Sequence, residues 1–183
     1  MPINKINKTN SPPIMYIAST RFNEKTLIEN REYKETKNIE GCIYGTNMKI
    51  YEKYPLNVTM FVVEMNNSNN QIEGIGIIKN ILALDKKYKI YEEGEYNRYI
   101  YKGKYWLNRD QIMRLNEDLI KIFEIILFKG KSNLKRMSGI CVVTETLFNR
   151  WNKSKEISTS KIMKTMVERI QNMFKDYFSD IKF

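Results

Sequence analysis

The sequence predicts a single α+β domain with a long C-terminal helix, and three observations carry that expectation. Short β-branched and aromatic runs, punctuated by glycine and asparagine, fill the first half of the chain. Two longer stretches with apolar residues at helical spacing follow. Neither a fixed-period repeat nor a break in composition divides the 183 residues, a length that can bury a proper core without disulfide or metal staples.

Residues 1–13, MPINKINKTNSPP, are polar and end in two prolines, which predicts a flexible basic leader ahead of a domain over residues 14–183. Ile14 to Ser19 (IMYIAS) is a short β-favouring run and the expected first strand. Asn23 is placed to cap a helix running through Lys25, Leu27 and Ile28 to about Tyr33. Gly41 to Thr46 (GCIYGT) reads as a short strand ending in a turn. Val58 to Glu64 and Ile72 to Ile78 flank the connector NNSNNQ, as in a hairpin with an asparagine-rich tip. Gly74 and Gly76 share one strand face, so a bare strip of backbone is expected there, open to close approach by another element or a flat ligand.

Between Ile81 and Trp106 tyrosines alternate with charges, and residues 88–106 hold seven aromatics in nineteen residues, with turns expected at Gly94 and Gly103. Asp110 to Phe128 predicts a core helix with an acidic cap and Ile112, Leu115, Leu119, Ile122 and Ile126 inward. Ile140 to Val143 follows as a short strand and Thr144 to Trp151 as a brief helix. From Ser158 a second long helix carries Ile162, Met166, Ile170, Met173 and Phe174 on one face, where the methionines read as core filler.

Composition narrows the chemistry. Histidine is absent, which removes the usual general base near neutral pH, the Ser-His and Cys-His nucleophile pairs and the commonest metal ligand. The two cysteines, Cys42 and Cys141, cannot build a disulfide framework and sit among small apolar neighbours, so buried thiols in a reducing compartment are expected. No phosphate-binding loop is present, GIGIIKN lacks the spacing of a dinucleotide fingerprint, and no metal motif stands out. The first residues lack a signal peptide's apolar stretch and no apolar run is long enough for a bilayer. The expectation is a non-enzymatic intracellular protein of cytoplasm or nucleus, or of a virion if its AT-rich flavour is viral, without cofactor, metal or membrane partner.

A net charge of +10 favours anionic partners. From Lys129 to Lys164, nine basic residues (Lys129, Lys131, Lys135, Arg136, Arg150, Lys153, Lys155, Lys161 and Lys164) face only Glu145 and Glu156. Such a cluster suits phosphate contacts through counterion release, with Lys135 and Arg136 as the leading candidates. In the tyrosine-rich stretch, Tyr96, Asn97, Arg98, Tyr99, Lys104, Tyr105 and Trp106 are candidates to stack unpaired bases and hold neighbouring phosphates.

Taken together, IMYIAS, the helix from Asn23, GCIYGT and VTMFVVEMNNSNNQIEGIGIIKN resemble the PUA-like superfold, especially its EVE, ASCH and YTH branches. Phe61 to Glu64 and Gly74 to Ile78 occupy the places of that superfold's apolar strand end and its Gly-x-Gly-like strand. The resemblance implies a curved, partly open β-barrel flanked by helices, which binds nucleic acid and holds a base, often a modified one, between the first helix and the central strands. Carried over by position, Ser19, Thr20 and Asn23 belong to the pocket rim and Tyr44, Thr46 and Asn47 to its wall. The tryptophan cage of the YTH readers has no counterpart, since Trp106 and Trp151 are the only tryptophans.

The leading expectation is a nucleic-acid-binding domain, RNA ahead of DNA. The alternatives are a scaffolding protein that forms homo-oligomers through its C-terminal helix, and a metal-dependent nuclease assembled from distant carboxylates.

Overall fold

The computed structural model describes residues 14–129, 133–151 and 159–183. The leader over residues 1–13, together with Lys131, Lys153, Lys155 and the side chain of Arg150, lies outside the described residues. The chain runs β1 (Met15–Phe22), α1 (Glu24–Thr36), β2 (Cys42–Thr46), β3 (Thr59–Asn66), β4 (Gln71–Lys79), β5 (Tyr99–Gly103), β6 (Tyr105–Asn108), α2 (Arg109–Phe128), β7 (Cys141–Val142), α3 (Glu145–Trp151) and α4 (Thr159–Tyr177). It is a mixed α+β fold with a five-stranded sheet, order β6-β4-β3-β1-β7, and a separate two-stranded sheet of β2 and β5. Hydrogen bonding among the described residues closes no barrel.

The β3–β4 hairpin pairs antiparallel from Thr59↔Lys79 to Asn66↔Gln71, and β1 lies parallel to β3. Every residue of β3 is buried. Its unbroken apolar run therefore marks a strand covered on both faces rather than a half-exposed one. On one face Phe61, Val63 and Met65 meet α2, α3 and α4 through Phe123, Phe148, Ile170 and Phe174. On the other, Met60 and Val62 meet β2 and β5 through Ile43, Ile100 and Tyr101.

The tight strand-to-helix junctions into α1 and α2 are each set by a capping box. The Asn23 side chain accepts from Thr26 N at 2.8 Å, and Thr26 Oγ1 accepts from Asn23 N at 3.0 Å. At α2 the cap is Asn108, whose Oδ1 accepts from Gln111 N at 2.9 Å, so Asp110 sits in the first turn rather than capping the helix.

The inward row predicted for α2 holds for Ile112, Leu119 and Ile126, whereas Leu115 is 42 % exposed and Ile122 only partly buried. The cause is Asn116, whose non-helical backbone (φ −159°, ψ 73°) interrupts the helix and resets its phase, turning Ile120, Phe123 and Leu127 inward. Asn116 Oδ1 accepts from Leu119 N at 3.3 Å and from Arg169 Nη2 at 2.7 Å, which caps the second half and ties it to α4.

The stretch between Ile81 and Trp106 is less of a strand than its alternation predicts. Only residues 99–103 and 105–108 are extended, and Tyr88, Tyr91 and Tyr101 are core residues. Aromatic alternation reports burial here, and loops bury tyrosines as readily as strands do. The apolar face of α4 is likewise taken up by the chain's own core, with Met166, Ile170, Met173 and Phe174 all buried, so oligomerisation through that face would require opening the domain. No described helix is long and apolar enough to cross a membrane.

Candidate functional site

The strip beside Gly74 and Gly76 is filled by the chain itself. A β-carbon on Gly76 would overlap the Tyr44 hydroxyl and stand 2.6 Å from the Cys42 sulfur. One on Gly74 would lie 2.8 Å from both Glu64 Oε2 and Trp106 Nε1. The close approach is thus made by β2 and by Trp106. Beneath it lies a buried polar cluster: Tyr44 Oη and Trp106 Nε1 each donate to Glu64 Oε1 at 2.9 Å, and Arg31 pairs with Glu64 Oε2. Burial pushes the Cys42 thiol up to about 12, which leaves it protonated and inert.

Tyr44, 1 % exposed, and Trp106, bound to Glu64, therefore serve the core rather than an open ligand surface. The other aromatic-stretch candidates are dispersed. Asn97 holds the loop before β5, accepting from Ile90 N and Tyr91 N and donating to the Tyr91 carbonyl. Arg98 is exposed. Lys104 and Tyr105 both bind Asp180 near the C-terminal end of the sequence. These side chains form no single stacking face, because the turn at Gly103 sends β5 and β6 into different sheets.

A cavity of about 220 Å³ opens instead where β1 ends, bounded by the start of α1, the end of β2 and the loop that leads into β7. Thr20, Asn23, Thr46, Asn47 and Lys135, five residues singled out from the sequence, all line it. Ser19 does not: residues two apart share a strand face, so Ser19 lies with Ile17 toward the helical cluster, 0 % exposed, while Thr20 takes the other face. Arg136 is exposed beside the cavity-lining Lys135.

Arg21, Asn67, Tyr91 and Met137 line the cavity without a sequence motif that marks them, Ser138 and Gly139 line it too, and Tyr96, a stacking candidate of the tyrosine-rich stretch, joins this cavity instead. Gly139, at φ +67°, turns the loop back toward β1, and a Ser-Gly pair ahead of an apolar run was the available signal. Arg21 donates to the Gly139 carbonyl and to Leu134 O at 3.5 Å, and approaches Cys141 Sγ at 3.7 Å, so a cation pins the loop against the strand end. Burial lowers its pKa while Cys141 raises it. Ser138 Oγ donates to Asn47 Oδ1 at 2.8 Å, which closes the loop onto β2.

The cavity is built from opposed chemistries. Tyr91 and Tyr96 form an edge-to-face pair with centroids 6.1 Å apart and give it an aromatic wall; Tyr96 is 40 % exposed. Thr, Asn and Ser side chains and backbone supply donors and acceptors opposite, and among the described residues the charged groups lining it are Arg21 and Lys135, both cations. Its volume is below the roughly 300–1,000 Å³ of drug-sized sites, which suits one small planar group. Among the described residues no group of three or more Cys, Asp or Glu side chains is placed to hold a metal ion. Comparison with protein-family models, curated proteins and solved structures yields no match to this chain.

Proposed function

We propose that this chain is a PUA-like nucleic-acid-binding protein that receives one unpaired base in the cavity at the end of β1, with RNA ahead of DNA as ligand. The observation that carries the reading is the cavity's make-up: a tyrosine wall, a polar rim that can address base edges, and, among the described residues that line it, cations as the charged groups. Unpaired bases are recognised by stacking on aromatic rings combined with hydrogen bonds to their edges. An anionic backbone would meet Lys135 at the rim, with exposed Arg136 next to it. The order β1-α1-β2 before the β3–β4 hairpin, and the tight crossing of β5 over β4 at Gly103, where a β-carbon would overlap the Ile77 carbonyl, support the PUA-like reading of the architecture.

The test is fluorescence anisotropy with labelled single-stranded RNA over a salt series. Tyr96→Ala should weaken binding by about 1–3 kcal/mol, the worth of one base-aromatic stack. Lys135→Ala should flatten the dependence of log affinity on log salt by about 0.7, the value of one phosphate contact on a single strand. Absence of binding at low salt, or affinity unchanged in both variants, defeats the proposal.

A further inference from the structure

We infer that the ligand is a strand rather than a free nucleotide, and that its next nucleotide lies in a second hollow across Lys135, on the flank of α2. This rests on the base-pocket reading above and extends it. The second hollow, about 490 Å³, is lined by Asn70, Lys121, Ile125, Phe128, Lys129 and Lys135, together with Glu124. Lys135 is common to both cavities.

The wall between the two hollows is a built feature. The tip of the β3–β4 hairpin wedges between α1 and the loop before β7: Asn67 N donates to Phe22 O at 2.8 Å, and Glu24 N donates to Ser68 Oγ at 3.0 Å. On its other side Asn67 Nδ2 donates to the Lys135 carbonyl at 2.9 Å, and Lys135 Nζ donates to Asn70 Oδ1 at 2.6 Å. Asn67 faces the first cavity and Asn70 the second, so the braced Lys135 ammonium stands where a strand leaving the first would cross into the second.

The second hollow has the chemistry of a nucleotide seat. Ile125, 39 % exposed, and Phe128 give an apolar floor, and Lys121, Lys129 and Lys135 surround it. The carboxylate among its described lining residues, Glu124, is already paired with Arg109 at 2.6 Å, so it opposes an anion weakly. Lys121 pairs with the exposed Glu117 at 2.9 Å, a surface pair worth too little to keep it from a phosphate. Apolar surface bordered by cations, continuous with a base pocket, matches a single strand that tracks along a protein.

Amide chemical-shift mapping on the full chain tests this with two probes, the ribonucleoside monophosphates and a mixed-sequence RNA hexanucleotide. The monophosphates should move Thr46, Asn47 and Gly139 alone, and the hexanucleotide should also move Asn70, Ile125 and Lys129. The double variant Lys121→Glu/Lys129→Glu should lower hexanucleotide affinity about tenfold and flatten its salt slope by about 1.4, two single-strand contacts. Monophosphate shifts should be unaltered, and so should hexanucleotide binding in the control Lys86→Glu/Lys87→Glu. Hexanucleotide shifts confined to the first cavity, or equal losses in both double variants, overturn this inference and leave the base pocket standing. Shifts that miss the first cavity with both probes overturn the base pocket and this inference together.

Discussion

The Lys34 ammonium rests 3.2 Å from the centre of the Trp106 ring, buried beneath α1 and without a hydrogen-bond partner among the described residues. Burial draws it down to about 8, against the pull of nearby Glu64, which raises it. The folded amine therefore titrates at about 8 and the unfolded one at about 10.4. Below pH 8 the buried charge costs its full amount; between the two values the unfolded state holds more protons, so stability from this group rises with pH. Lys34→Met should therefore stabilise the protein by about 1–2 kcal/mol at pH 7 in urea denaturation. The advantage over the parent should shrink as pH approaches 10. A loss of stability at pH 7 would mean that the contact with the indole outweighs desolvation.

Glu64 is the acceptor on which the neighbouring polar groups depend. Glu64→Leu removes the partner of Arg31 and leaves the Tyr44 hydroxyl and Trp106 N–H unpaired, at a cost of about 3–5 kcal/mol. Glu64→Gln keeps an acceptor oxygen and should cost less. Tyr44→Phe should lose about 1–2 kcal/mol of stability with no change in RNA affinity, since its hydroxyl points at Glu64. Denaturation and anisotropy on the same samples separate the two effects, and a Tyr44→Phe variant that binds RNA poorly while folding normally would reassign this residue to the ligand.

Two glycines should respond in opposite directions. At Gly76 a methyl group collides with Tyr44 and Cys42, so Gly76→Ala should destabilise by about 1–3 kcal/mol. Gly94 has no heavy atom within 4 Å of the new carbon, and Gly94→Ala should be neutral or stabilise by up to about 1 kcal/mol through the unfolded chain. Thermal melts of both variants decide it; equal effects would contradict the close crossing of β2 over β4.

Asn116→Ala removes the acceptor for Leu119 N and Arg169 together. The expected cost is about 1–2 kcal/mol, the value of a helix cap. Hydrogen exchange at Leu119 should accelerate more than at Ile112, which lies in the first half of the helix. Uniform acceleration along α2 would indicate that the helix is continuous and Asn116 no cap.

Local chemistry made much of this fold readable in advance. Asn23 was identifiable as a cap because its side chain addresses an amide three residues away, and the hairpin because a polar tip joins two β-rich runs. Thr20 and Asn23 as rim candidates and Thr46 and Asn47 as wall candidates came from the positional resemblance to the PUA-like superfold, and all four line the cavity because the ends of β1 and β2 meet there. Tyr44 and Trp106 look the same as binding aromatics on paper; that they meet over Glu64 depends on contacts 20 and 42 residues apart.

By itself the sequence determined the α+β class, the identity of most elements, and the exclusion of histidine chemistry, because caps, turns and hydrophobic period are properties of neighbouring residues. The tertiary structure alone decided which polar groups became core and which line the cavity. The cavity exists because Arg21 draws Gly139 to the end of β1, 118 residues along the chain, and because the hairpin tip braces Lys135 from 65 residues away. Those are choices of packing, and no local pattern encodes them.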